Sequence, residues 1–327
     1  MEFIASGSYG MVYLSDRKIY KRISLDTQGT INDIIFLRKL TTTGHSPILY
    51  DIRILEDNNI AIVMENVGRT ISAYNRLVDI PEKYLLLQWL FCELIDILTC
   101  LKKNNIIHMD ITSSNLCIDM NNSVPKIKLI DYGFAIKKSD KVINLIGTYI
   151  FADPSYLLPK IHDYTYDIFS VAMVMFYWLS YEDFKTMCEE DRPFTENLFN
   201  TVVLTSFERI SKLINDDMVN ILKKMLVLDE HSRISLELLN SFRHTLSNDN
   251  IYVYKLLTDF EYSADKKYCS RKNIFDDFIP IKHIHKFNEE CFHKNIEYIL
   301  KDSSKKLHVG ANKVLNYINL NNMVNLL

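Results

Sequence analysis

Glycine is scarce in this chain, 8 in 327 residues, so the few present are expected where only glycine serves. Excess charge of one sign is also missing. The 38 basic and 41 acidic side chains leave a formal net charge of -3, without the basic footprint that nucleic acid demands. The Lys-Lys pairs at 102–103, 137–138, 223–224, 266–267 and 305–306 are dispersed and read as solvated surface. Long apolar runs are absent too. The longest, Ile168 to Leu179 with Ser170 inside it, is far short of the roughly 18 residues a membrane span needs, and it predicts a buried helix. The six cysteines, at 92, 100, 117, 188, 269 and 291, form no paired framework, and most sit in apolar stretches, as reduced thiols do. No opening segment reads as a signal peptide. These absences predict a soluble, intracellular protein, cytoplasmic or nuclear, that binds neither nucleic acid nor membrane.

The remaining pattern is that of one large α+β assembly. Residues 1–80 read as strand-rich and 81–245 as helix-rich. Ala61-Ile62-Val63-Met64 is a short apolar run suited to a buried strand. Leu87, Leu90, Phe91, Leu94, Leu98 and Leu101 follow helical spacing. Asn121 to Pro125 predicts a turn between strands at 116–118 and 127–130. There is no internal repeat. The polar stretch Ser247-Asn248-Asp249-Asn250 is the best boundary.

Chemistry concentrates in His108-Met109-Asp110-Ile111-Thr112-Ser113-Ser114-Asn115, followed 21 residues after Asp110 by Asp131-Tyr132-Gly133. One acid can orient a hydroxyl, while an amide and a second acid can hold Mg²⁺ against nucleotide phosphates. Near the start, Ile4-Ala5-Ser6-Gly7-Ser8-Tyr9-Gly10-Met11-Val12 could let a hairpin backbone approach phosphates. Nine residues past Val12 stands Lys21, placed to reach the α- and β-phosphates.

Together these segments resemble the eukaryotic protein kinase family over residues 1–245. Met64-Glu65-Asn66-Val67 resembles the family's hinge, Glu65 and Val67 being expected at the adenine edge. Gly147-Thr148-Tyr149-Ile150-Phe151-Ala152-Asp153-Pro154 resembles the end of an activation segment. Asp167-Ile168-Phe169-Ser170 resembles the start of the helix that anchors the catalytic loop, and Asp229 to Ile234 the late Asp-x-x-x-Arg-Ile element. Gly7, Gly10, Gly133 and Gly147 all fall where this pattern wants glycine. The resemblance implies a two-lobed protein kinase fold. A small antiparallel β-sheet lobe would span about residues 1–67 and a larger, mainly helical lobe 68–245, with 246–327 a helical extension. It implies ATP and Mg²⁺ as cofactors and a protein carrying Ser or Thr as substrate. Asp110 would be the catalytic acid-base residue, Asn115 and Asp131 the Mg²⁺ ligands, and Lys21 the phosphate grip. The short first strand and compact activation segment are similar to those of large-DNA-virus kinases.

Several positions depart from the pattern. Ala5 replaces the first loop glycine. No Glu occurs between Lys21 and Leu37; Asp33 occupies the register of the helix glutamate that pairs with the strand lysine, one methylene shorter, the alternative being a surface acid. Met109 replaces the arginine that reads a phosphate on the activation segment, and residues 134–146 offer Ser139 as their only hydroxyl, so activity is expected without activation-loop phosphorylation. Thr112 stands where Ser/Thr-specific members carry a lysine, and Ser114 where tyrosine-specific members carry an arginine. The result is a slower enzyme, similar there to small atypical kinases of the tRNA-modification complex. Tyr132 replaces Phe and needs a hydroxyl partner. Ser155 replaces the glutamate that serves Arg233, leaving either Asp153 or solvent to do so.

Two other readings stay open on sequence. One is a pseudokinase acting as a nucleotide-binding scaffold, favoured by Asp33, Thr112 and Ser155. The other is a small-molecule kinase of the aminoglycoside type, which shares His-x-Asp-x4-Asn but lacks the activation-segment end and late arginine found here. In the extension, amphipathic stretches at 287–300 and 314–327 are candidate surfaces for the large lobe or a protein partner. His283, His285, Cys291 and His293 lack zinc-site spacing and read as ordinary packing and surface residues.

Overall fold

A computed structural model of the chain describes residues 1–7, 10–24, 28–55, 59–76, 78, 80–121, 124–142, 148, 150–154, 160–189, 202–203, 205–246 and 250–269. It divides into two compact units, one built on Met1–Thr42 and Ser46–Asn66, the other on Thr43–His45 and the described residues of Val67–Lys272.

Among the described residues the first unit is a five-stranded antiparallel sheet with one helix. Strands β1 (Glu2–Gly7), β2 (Gly10–Ser15), β3 (Lys18–Ser24), β4 (Leu49–Ile54) and β5 (Asn59–Glu65) lie in the order β1-β2-β3-β5-β4. The β2–β3 turn is made by Asp16 and Arg17, both left-handed at φ 52° and 61°, the twist a two-residue hairpin requires. The apolar run expected as a strand is the centre of β5, with Ile60 to Met64 all buried. Helix α1 (Gln28–Leu40) follows β3, its Thr30 hydroxyl donating to the Ser24 carbonyl.

In the second unit, β6 (Arg69–Thr70), β8 (Leu116–Asp119) and β9 (Lys126–Leu129) form a small sheet. Strands β8 and β9 occupy the two strand positions expected from sequence; residues 122 and 123 of their turn lie outside the described residues. Strand β7 (Ile106–Ile107) pairs with β10 (Ile136–Lys137), and β11 (Lys141–Val142) with β12 (Lys160–Ile161). Helices α2 (Ile71–Asn75), α3 (Ile80–Leu85) and α4 (Leu87–Lys103) precede the catalytic segment. Among the described residues the remaining helices are α5 (Thr165–Leu179), α6 (Tyr181–Glu189), α7 (Thr205–Ile210), α8 (Asp216–Met225), α9 (Leu236–Arg243) and α10 (Asn250–Cys269). The six stripe residues of α4 are all buried. Helix α5 is buried on every face from Tyr166 to Leu179, as an apolar run without amphipathic spacing must be. Among the described residues no helix is long and apolar enough to cross a membrane.

Candidate active site

In the first unit the glycine-rich hairpin aligns Ala5 with Val12, Ser6 with Met11 and Gly7 with Gly10. Ile4 stands at the bulge before Ala5 and is half-exposed; Ser8 and Tyr9 lie outside the described residues. Gly10 is held glycine by its neighbours: a Cβ there would meet the Arg22 carbonyl oxygen at 2.1 Å. Val12 pairs with Lys21 across β2–β3. Lys21 Nζ lies 2.7 Å from Asp33 Oδ2, with side-chain exposures of 11 % and 4 %. The structure thus makes Asp33 the partner of the strand lysine and not a surface acid. At the end of β5, Glu65 accepts from the Ile48 amide through Oε2 at 3.0 Å, while its own amide donates to the Ile48 carbonyl. Val67, at the start of the second unit, is buried.

The catalytic segment of the second unit is fixed mainly by backbone bonds. Asp167, at the start of α5, accepts from the amides of His108 at 2.7 Å and Met109 at 3.0 Å. Burial pushes its carboxyl up to about 7, against the pull of those two amides. Met109 takes a left-handed backbone, φ 66°, a cost for a non-glycine residue that the surrounding bonds must offset. Its side chain is buried with Ile107, Ala152 and Tyr166, against the partly buried Phe134, Ile136 and Tyr164. The position of the family's phosphate-reading arginine is therefore part of an apolar cluster.

Asp110 is gripped at both carboxylate oxygens. Oδ1 accepts from the Thr148 amide at 2.8 Å and Oδ2 from Asn115 Nδ2 at 2.8 Å. Burial raises its carboxyl above the usual range, opposed by Thr148; the charge of Asp131 adds to the rise and the Asn115 bond opposes it. Asn115 Nδ2 also reaches the Asp110 carbonyl at 3.0 Å. The amide nitrogen is thereby committed to Asp110, which leaves Oδ1 of Asn115 as the oxygen to offer a ligand. Asp131 is left-handed at φ 64°, and its carboxylate accepts weakly from the Gly133 amide at 3.4 Å. The Ile130 amide donates to the Asn115 carbonyl at 2.9 Å, tying the two candidate ligands into one backbone frame. An amide oxygen and a carboxylate are hard donors of the kind Mg²⁺ takes.

The remaining departures find local answers. The Thr112 hydroxyl accepts from the amides of Asn115 at 3.2 Å and Ser114 at 3.3 Å, a side-chain turn that shapes the loop. The buried Tyr132 hydroxyl donates to the Leu129 carbonyl at 3.1 Å. Arg233 pairs with Asp153, both side chains fully buried, which decides between the two alternatives left open by sequence. Sequence reasoning did not assign Thr148 to Asp110, nor Thr112 to the loop backbone. The Thr-x-x-Asn spacing was the available sign for the latter. Gly147, Ser155 and the proposed helices of 287–300 and 314–327, with His283, His285, Cys291 and His293, lie outside the described residues.

The second unit holds an aspartate gripped by an amide with a second acid in the same frame, and the first holds a strand lysine paired with a helix acid; each is a part that phosphotransferases of the kinase type use. The protein kinase domain family matches residues 3–245, and the chain belongs to that family. It is 32 % identical over 180 residues to "Probable serine/threonine-protein kinase mkcE" of Dictyostelium discoideum, covering 53 % of this chain and 24 % of that protein. It is 25 % identical over 255 residues to "Calcium-dependent protein kinase 4" of Plasmodium berghei, covering 72 % and 47 %. Over 191 residues it is 27 % identical to "Serine/threonine-protein kinase KIC1" of Saccharomyces cerevisiae, covering 54 % and 17 %. The chain thus spans less than half the length of each of these relatives.

Proposed function

We propose that this chain is an ATP-dependent protein kinase that phosphorylates Ser or Thr hydroxyls of proteins, and that it works without phosphorylation of its activation segment. The observation that supports the reading is the two-sided grip on Asp110 by Asn115 and Thr148, which holds its carboxylate in one orientation, as an acceptor for a hydroxyl proton would need. In this reading the substrate hydroxyl oxygen forms its bond to the γ-phosphorus of ATP while the bond to the β,γ-bridging oxygen breaks. ADP leaves, and the proton passes to Asp110. Asn115 and Asp131 would hold Mg²⁺, which supplies charge neutralisation at the phosphates. Lys21, oriented by Asp33, would meet the α- and β-phosphates. Ile4, Ala5, Ser6, Gly7, Ser8, Tyr9, Gly10, Met11 and Val12 would cover the nucleotide, and the backbone at Glu65 and Val67 would meet the adenine. Thr112 brings no positive charge to the transferring phosphate, so turnover should be slow.

Independence from activation-segment phosphorylation rests on Met109. An apolar cluster occupies the place of the arginine, so there is no cation there for a phosphate to recruit. The names of the relatives support Ser/Thr over Tyr. Cys92 and Cys117, both buried, fit an intracellular setting.

The test is transfer from γ-labelled ATP with Mg²⁺ to generic basic and acidic proteins, run beside Asp110→Asn and Asp131→Ala. Label on Ser or Thr that vanishes in both variants upholds the kinase. No label, with ATP still raising the unfolding temperature, would make the chain a nucleotide-binding scaffold. Phosphatase treatment that abolishes activity would overturn the regulatory half of the proposal.

A further inference from the structure

Helix α10 lies beyond the matched residues 3–245, yet it bonds to β6 and α2 of its own unit. Val253, Leu257 and Glu261 follow at intervals of four and so share one helix face. The first two are buried, Leu257 completely. At the third, Glu261 Oε2 accepts from Arg69 Nε at 2.8 Å, and Oε1 accepts from the Tyr74 hydroxyl. Tyr74 is itself fully buried in α2. One carboxylate therefore fastens both β6 and α2 to the helix that follows the matched domain.

Helix α2 bonds to the Asp110–Asn115 loop directly, and β6 pairs with β8, the strand that follows it. Arg69 and Thr70 pair with Ile118 and Cys117 of β8, three and two residues past Asn115. Gly68 permits that close approach: it is left-handed at φ 84°, and a Cβ there would lie 2.4 Å from the Ile118 carbonyl oxygen. The Thr70 side chain caps α2 at the Ala73 amide, and the Ser72 amide donates to the Ser113 carbonyl at 2.9 Å. Ser113 sits inside the Asp110–Asn115 loop.

We infer that Glu261 is a positioning residue: through Arg69 and Tyr74 it braces β6 and α2 against the Asp110–Asn115 loop, which makes α10 part of the working catalytic unit. This rests on the kinase reading for its effect on rate, but not for its effect on the backbone. The bond joins a charged pair that is partly exposed, with side-chain exposures of 29 % and 28 %, so its contribution is moderate.

The test uses the full chain and Glu261→Gln, with Glu237→Gln as a control that removes an exposed acid of α9 bonded to Lys102 of α4. Two quantities are read: kcat at saturating ATP and generic substrate, and amide hydrogen exchange over residues 69–76 and 110–118. The brace predicts that Glu261→Gln lowers kcat by about three- to tenfold with the unfolding temperature nearly unchanged. Exchange should accelerate in both segments, and Glu237→Gln should alter neither quantity. An Arg69→Lys variant, which keeps a cation opposite Glu261, should recover part of the rate lost in Arg69→Gln. Unchanged kcat, unchanged exchange, or a rate loss that merely tracks the unfolded fraction would each overturn the inference. If the wild type transfers no phosphate, the kinase reading falls by itself, and exchange alone decides whether the brace exists.

Discussion

Cutting the Asp153 carboxylate back to a methyl group leaves the Arg233 guanidinium buried without its counter-charge. Both side chains are at 0 % exposure, so solvent cannot replace the lost partner. Breaking a buried ion pair by removing one member costs about 3–5 kcal/mol. Arg233 keeps some support: Nε donates to the Val227 carbonyl at 2.9 Å, Nη1 to Thr165 at 2.7 Å and Nη2 weakly to Leu228 at 3.4 Å. Its guanidinium also lies 5.1 Å from the centre of the Phe169 ring. These place the expected cost at the lower end, about 3 kcal/mol. At about 2–4 °C per kcal/mol for a unit of this size, Asp153→Ala should lower the unfolding midpoint by about 6–12 °C. Asp153→Asn, which keeps an acceptor but no charge, should lose less. The assay is thermal unfolding followed by circular dichroism, with Arg233→Met and the double variant completing a cycle. The double variant should cost less than the sum of the singles by about 2 kcal/mol, because the second substitution removes the stranded charge. A loss under about 2 °C for Asp153→Ala, or simple additivity, would refute the claim that Asp153 stands in for the glutamate missing at Ser155.

Three further outcomes follow from the same geometry. Met109→Arg places a cation in an apolar cluster where Met109 is 1 % exposed. It should cost about 3 kcal/mol or more in chemical denaturation instead of installing phosphate control; a stable variant newly sensitive to phosphatase would sink this. Asp33→Glu, which restores the family residue, adds a methylene where Asp33 is 3 % exposed. It should destabilise by about 1–3 kcal/mol, and a variant more stable or more active than wild type would contradict the packing argument. Finally, the Asp110 carboxyl is raised above the usual range, chiefly by burial. In the proposed mechanism transfer needs its charged form, so kcat should fall as pH drops through that raised value, above the ordinary aspartate value of about 4. The stability term runs the other way: a raised carboxyl contributes fully below its unfolded value and loses that contribution as pH rises through the folded one. Asp110→Asn should remove this pH-dependent term from the unfolding free energy, and an identical pH profile in wild type and variant would contradict it.

How much of this was legible in the sequence depended on the range of the contacts concerned. The α4 stripe, the β5 run and the buried α5 were readable because local periodicity reports burial directly. Lys21, Asp110, Asn115 and Asp131 were singled out because their spacing along the chain matches a known chemical arrangement, and the structure adds the contacts of Lys21 with Asp33 and of Asp110 with Asn115. What could not be read were the partners chosen in space. Asp33 lies 12 residues from Lys21 and Asp153 lies 80 from Arg233, and only the packed structure decides between a partner and solvent. Glu261 meets Arg69 across 192 residues, with no motif to mark it. Thr112 has a second role that its position did not reveal. Its position raised the question of a missing lysine, but its hydroxyl serves the loop backbone, so residue type alone did not tell what the side chain does.

These answers bear on the choice between a working kinase and a scaffold derived from one. Decay of a site predicts substitutions whose partners are left stranded, since nothing maintains them. Here the substitutions come with replacements. Arg is lost at 109 and the methionine there is buried among apolar neighbours. Glu is lost at 155 and a carboxylate two residues earlier meets the arginine. Glu is shortened to Asp at 33 and still reaches Lys21 at 2.7 Å. Phe becomes Tyr at 132 and the new hydroxyl is bonded. Stability alone could select the Asp153 and Tyr132 replacements, because both repair buried polar groups. It does not as readily account for Lys21, whose burial with Asp33 leaves an ion pair that apolar residues of similar volume could replace at little or no cost. Nor does it account for Asp110, a carboxylate whose burial raises its pKa and is therefore unfavourable to the charged form. Groups held at a cost to the fold are what the proposed kinase requires, and a scaffold has no need of them.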